Sequence, residues 1–138
     1  MVPDFIPLYA TVIVLFSLIY FAFASIPFLF VSLDVPEVSW LFRGLFDVYF
    51  WMVGGTALLA TAAFAASGRF AYAAGMLLLA AFAIGVRKKV LQRIDSQQSA
   101  LQSGDGAALR RLRLIHWCGM LANIAVLVSI ASSMTRIL

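Results

Sequence analysis

Charge is what this sequence has least of. Only 12% of its 138 residues are Asp, Glu, Lys or Arg, against roughly 25% in an ordinary soluble domain, while 64% are hydrophobic. A water-soluble fold of this size has too little interior to hide so much apolar surface, and what stayed outside would drive aggregation. That scarcity excludes a soluble enzyme, a nucleic-acid-binding domain and a disordered chain, and leaves an all-α integral membrane protein. Cysteine is nearly missing too. Cys118 stands alone, so there is no internal disulfide and no CxxC or CxxCH element for zinc or covalent haem. Histidine occurs once, at His116, which excludes a two-histidine haem within one chain. No phosphate-binding loop, metalloprotease motif or nucleophile elbow is present.

What is there is four apolar runs in one transmembrane domain, 1–138. The first, 8–31, has no charge and exceeds the roughly 20 residues a helix needs to cross the hydrocarbon. Pro27 lies near its end and should kink or loosen the last turn. The run does not read as a cleaved signal peptide, because its leader carries Asp4 and no lysine or arginine. The second run is 48–66, opened by Asp47 and closed by Ser67-Gly68-Arg69. The third is 70–86, and the fourth 114–135, bounded by Arg113 and Arg136. Runs this long with no alternation read as helices rather than strands.

The polar segment 87–113 separates the last two runs. Its first half has good helix formers, with Val90, Ile94 and Leu101 near one stripe, so the third helix should continue to about Leu101. Ser103-Gly104-Asp105-Gly106 breaks it, and Ser103 or Asp105 can cap the next helix. The expected form is a helical hairpin projecting from the membrane; Gln97-Gln98-Ser99 keeps a flexible linker open as the alternative.

Basic residues set the orientation. Seven of the ten lie in 87–113, and with Arg43 on the same side the count is eight against two, Arg69 and Arg136. This asymmetry puts the hairpin in the cytoplasm and both termini outside, in a cell inner membrane. Such a basic cluster beside apolar spans marks a membrane side and anionic lipid head groups, not nucleic acid.

Helix faces give the packing. Gly54, Gly55, Ala57, Ala60 and Ala63 flatten the second span. Ala71/Gly75 and Ala81/Gly85, each four apart, do so on the third, letting backbones approach closely. We expect these faces to hold the bundle together, ahead of a homodimer role. The Phe-rich first helix (Phe16, Phe21, Phe23, Phe28, Phe30) should face lipid or fill gaps.

Polar groups within spans are costly and need a reason. His116 and Asn123, seven residues apart, share a helix face. The favoured account is that Asn123 joins helices by a hydrogen bond and His116 snorkels to the head groups. Asp47, placed at a helix N-terminus, is explained by the dipole. Yet Arg43, Asp47, Tyr49, Arg113 and His116 should gather at one membrane level, where they form a candidate site for an anionic head group or polar ligand. His116, Cys118 and Met120 suggest copper, but Cys118 points away from the other two on a helix, so no metal site is assigned. Haem on a single His116 ligand stays open, with cofactor otherwise unknown.

Leu45-Phe46-Asp47-Val48-Tyr49-Phe50 resembles the Leu-Phe-Pro-x-Tyr-Phe stretch of the transmembrane-protein-205-like family. Arg113-Leu114-Ile115-His116, with Asn123 seven residues on, is similar to that family's Leu-His…Asn signature. Asp47 stands where the family has proline, Phe42 where glutamine is usual, and Trp117 where glycine follows the histidine. The family looks distantly like copper-resistance D-type bundles. The resemblance implies a four-helix membrane fold and interest in Tyr49, His116 and Asn123, but no reaction. Three classes follow: an accessory or assembly protein acting on other membrane subunits or by self-association, a haem- or quinone-linked redox protein using His116, and a transporter. Transport has least support, because no carboxylate lies at the midplane.

Overall fold

The structure, a computed structural model, describes residues 5–33 and 35–137, the last three as backbone only. The leader residue Asp4 and the side chain of Arg136 lie outside the described residues. The order is α1 (Phe5–Ser25), a 3-10 turn (Ile26–Leu29), α2 (Pro36–Ala66), α3 (Phe70–Gln102) and α4 (Ala107–Ile137). Among the described residues there is no strand, and all four helices are long and apolar enough to cross a membrane.

Pro27 ends α1 as its chemistry requires, since it lacks an amide donor and its ring crowds the preceding turn. The chain tightens into the 3-10 turn, where the Phe30 amide donates to the Pro27 carbonyl at 3.2 Å. Of the phenylalanines here, Phe21 is buried, while Phe16, Phe23 and Phe30 point outward.

α2 begins at Pro36, not at residue 48. Proline at the first helical position gives up no bond the helix could have made, and Glu37 in the first turn suits the positive end of the dipole. Arg43 and Asp47 made 32–47 look like a connection. They sit instead within the helix, where partners on α3 make their charge tolerable. Asp47 is therefore no helix cap.

α3 runs unbroken to Gln102, so the linker alternative does not hold. Both short connections end in the same way. Gly68 takes φ +80°, with Arg69 N–H on the Phe64 carbonyl at 2.9 Å and Gly68 N–H on that of Ala65 at 3.1 Å. Gly104 takes φ +95°, with Asp105 N–H on Ala100 at 3.0 Å and Gly104 N–H on Leu101 at 3.1 Å. This is the glycine-closed Schellman ending, strained for any residue with a Cβ. Asp105 Oδ1 then accepts from the Ala107 amide at 3.1 Å, as expected of a cap.

Helices α2, α3 and α4 are about 45–50 Å long by helical rise, against ~30 Å of hydrocarbon. The end of the bundle that carries the α3–α4 connection is packed. Leu33, Phe42, Leu91, Ile94 and Leu112 are buried within the apolar core cluster and Ala108 is buried as well, and Gln98 Nε2 donates to the Ser39 carbonyl at 2.8 Å. The hairpin is thus one side of a three-helix layer with the start of α2, rather than a lone projection.

In cross-section α2 packs on both α1 and α3, α1 also on α4, and the α3–α4 seam is the loosest. Gly54, Ala57, Ala60 and Ala63 of α2 are buried, and so are Ala73, Met76, Ala80 and Ala83 of α3. Ala71/Gly75 and Ala81/Gly85 are exposed, and both glycines face open space. The expectation that these α3 pairs hold the bundle is corrected: the buried seam lies on the opposite face.

Candidate functional site

Tyr49 and Asn123 come together in the core. Tyr49 Oη donates to Asn123 Oδ1 at 2.9 Å, and Asn123 Nδ2 donates to the Leu18 carbonyl at 2.9 Å. Asn123 therefore joins α1, α2 and α4, which is the interhelical role its position suggested. A neutral amide with both ends satisfied is cheap to hold in low dielectric.

His116 shares that face of α4 but does not snorkel. Because α4 starts at Ala107, the ring is nine residues inside the helix and fully buried. It stands edge-on to Phe42 (centroids 5.4 Å apart, 90°) and Phe28 (6.3 Å, 82°). Neither ring nitrogen has a hydrogen-bond partner among the described residues. His116 is fully buried and lines neither opening along the α3–α4 seam, so the residues present leave no space for a haem on it. Cys118 lies on the other side of α4, exposed, which also separates it from His116 as a metal donor.

The charged candidates do not converge on one pocket. Arg43 Nε donates to Asp95 at 2.6 Å. Arg87 holds Asp47 at 2.6–2.8 Å while its guanidinium sits over the Trp51 ring, 4.7 Å from the centroid. Both pairs are half-buried stitches between α2 and α3. Arg113 reaches the other way and donates to the Phe28 and Val31 carbonyls. It thereby closes orphan acceptors where the chain leaves the 3-10 turn, a favourable place for a cation. Each of these groups is consumed by structure.

A different feature is open. Between α3 and α4, floored by α2, runs a groove of about 430 Å³, ordinary for small-molecule sites at roughly 300–1,000 Å³. Leu79, Phe82, Val86 and Val90 form one wall and Ile115, Cys118, Ala122 and Val126 the other, with Arg93 and Arg111 at one end. A second opening of about 370 Å³ continues the seam beyond Leu79 and Val126. Sequence reading used Arg93 and Arg111 only to count charge. The overlooked signal is a helix-spaced apolar stripe on each of α3 and α4 that ends in an arginine.

No family model matches the chain, and no curated protein or solved structure matches it either. Fold and site together define a class: a multi-pass, all-helical membrane bundle with a lateral groove.

Proposed function

We propose that this is a non-catalytic accessory or assembly protein of the cell inner membrane. Its basic hairpin lies in the cytoplasm and both termini lie outside, on the eight-to-two distribution of Lys and Arg. The observation that carries the reading is the outward face of α3. Ala81 and Gly85 are exposed there, with open space beside Gly85, whereas Ala71 and Gly75 line the second opening of the α3–α4 seam. Lipid gives helices no hydrophobic reason to associate, so close backbone approach at small residues is the means by which a second membrane helix docks.

The test is assembly size in lipid nanodiscs and native gels. Ala81→Leu with Gly85→Leu should release the partner or second copy while the helix content and unfolding temperature hold. A wild-type chain that stays monomeric and partner-free under the same mild extraction would overturn the reading. A redox reading would need a haem, which does not fit at the buried His116 ring; a Soret band lost in His116→Ala would overturn the accessory reading.

A further inference from the structure

The α3–α4 groove has the dimensions and charge of a lipid site, independently of the outward face of α3. We propose that it holds one acyl chain of an anionic phospholipid, with the phosphate between Arg93 and Arg111. Leu79 to Arg93 on α3 and Val126 to Arg111 on α4 bound the groove, a length of about 21 Å by helical rise. The groove is an elongated apolar slot of about 430 Å³, and an extended hydrocarbon chain, ~4–5 Å wide by carbon contact distances, can lie along it.

The polar groups stand where a head group would. Along the walls, Tyr49 has its hydroxyl committed to Asn123, and the rest is apolar apart from the Cys118 thiol. At the end, Arg93 is exposed and has no ion pair or hydrogen bond among the described residues. Arg111 meets Gln97 at 3.1 Å and Asp105 at 3.2 Å, both through Nη1, leaving Nη2 and Nε to donate. Two guanidinium forks are suited to a phosphate, and one nearby carboxylate offsets only part of their charge. Arg93 lies six residues past Arg87, where the apolar run ends. That is about 9 Å further along the axis, close to the ~5–8 Å of head-group region outside the hydrocarbon. The proposal rests on the membrane reading but not on orientation, which decides only the leaflet that supplies the lipid.

Native mass spectrometry of the full chain in mild detergent reads the answer as bound lipid. Phosphatidylglycerol and phosphatidylcholine of identical acyl chains are the probes. One phosphatidylglycerol should be retained in clear preference, and Arg93→Gln and Arg111→Gln should each reduce that preference about five-fold. Lys88→Gln with Arg110→Gln, basic positions off the groove, should leave it intact. Ala122→Phe should close the groove to both lipids, whereas Ala122→Ser keeps binding and guards against a misfolded variant. Equal retention of the two lipids by wild type, a preference that follows Lys88 and Arg110, or a lipid still held by Ala122→Phe would each overturn the site. So would one-for-one displacement by a neutral prenyl quinone, which has no use for the arginines.

Discussion

Tyr49 Oη donates to Asn123 Oδ1 across the contact of α2 with α4, and the same amide donates to Leu18 on α1. Three helices therefore depend on one side chain. Hydrogen bonds between membrane helices contribute about 0.6 kcal/mol on average and up to about 1.7. Tyr49→Phe should cost about that much. Asn123→Ala should cost more, because it loses both bonds, leaves the Leu18 carbonyl without its donor and strands the Tyr49 hydroxyl. Reversible unfolding in bicelles of both single variants and the double gives the coupling energy. A coupling near zero would show that the hydroxyl and the amide act independently.

Gly119 should tolerate no side chain. A Cβ there would stand 2.8 Å from Phe46 Cε1 and 3.4 Å from Phe21 Cζ. The Phe46 ring cannot swing clear, since it packs against Phe21, Phe42 and Phe50 at centroid distances of 5.1–6.2 Å. Gly119→Ala should therefore destabilise by about 1–3 kcal/mol, the usual cost of overpacking. Gly44→Ala is the control, because a Cβ there meets nothing within 4 Å, and Ala is the better helix former. Equal unfolding temperatures for the two variants would remove the steric account.

Much of this architecture is written in the sequence, and the errors share one cause. Apolar run length and the Ser103–Gly106 breaker located all four helices, because in a membrane every backbone group must be satisfied within its own segment. Periodicity also placed Asn123 and His116 on one face. The misreadings came from treating charge as a boundary. Arg43 and Asp47 looked like the edge of a loop only because their partners, Asp95 and Arg87, lie 52 and 40 residues away in sequence. Burial of His116 was hidden likewise, since Phe28 and Phe42, which pack on its ring, come from other elements. Long-range pairing of this kind has no local trace.

The two ion pairs between α2 and α3 should differ in weight. Asp47 and Arg87 have 31% and 28% of their side-chain surface exposed, Arg43 and Asp95 39% and 49%. Exposed pairs are screened and contribute at most about 1 kcal/mol. Asp47→Ala should thus cost more than Asp95→Ala, in part because it frees a guanidinium held over Trp51. Raising salt should shrink the Asp95 effect first. Charge exchange, Arg43→Asp with Asp95→Arg, should recover most of the loss; failure to recover it would mean that the contact is packing by the aliphatic stems rather than charge.

His116 offers the sharpest division between structure and function. A buried polar side chain without partners ordinarily costs about 1–3 kcal/mol in lost hydration, and that cost disappears when an apolar group of similar shape replaces it. The ring already sits in an aromatic slot, edge-on to Phe28 and Phe42. His116→Phe should therefore be neutral or raise the unfolding temperature, with the strain of a slightly larger ring as the opposing effect. His116→Asn should lower it, since it keeps the polarity and leaves a void between the two rings. The ordering reverses if a ligand is bonded to the imidazole, because Phe then removes that bond along with the hydration cost. Thermal unfolding of both variants, followed with the visible spectrum of each, separates the two cases. A His116→Phe protein less stable than His116→Asn, with an absorption band lost from 380 to 430 nm (roughly the Soret region of a haem), would make His116 a ligand after all.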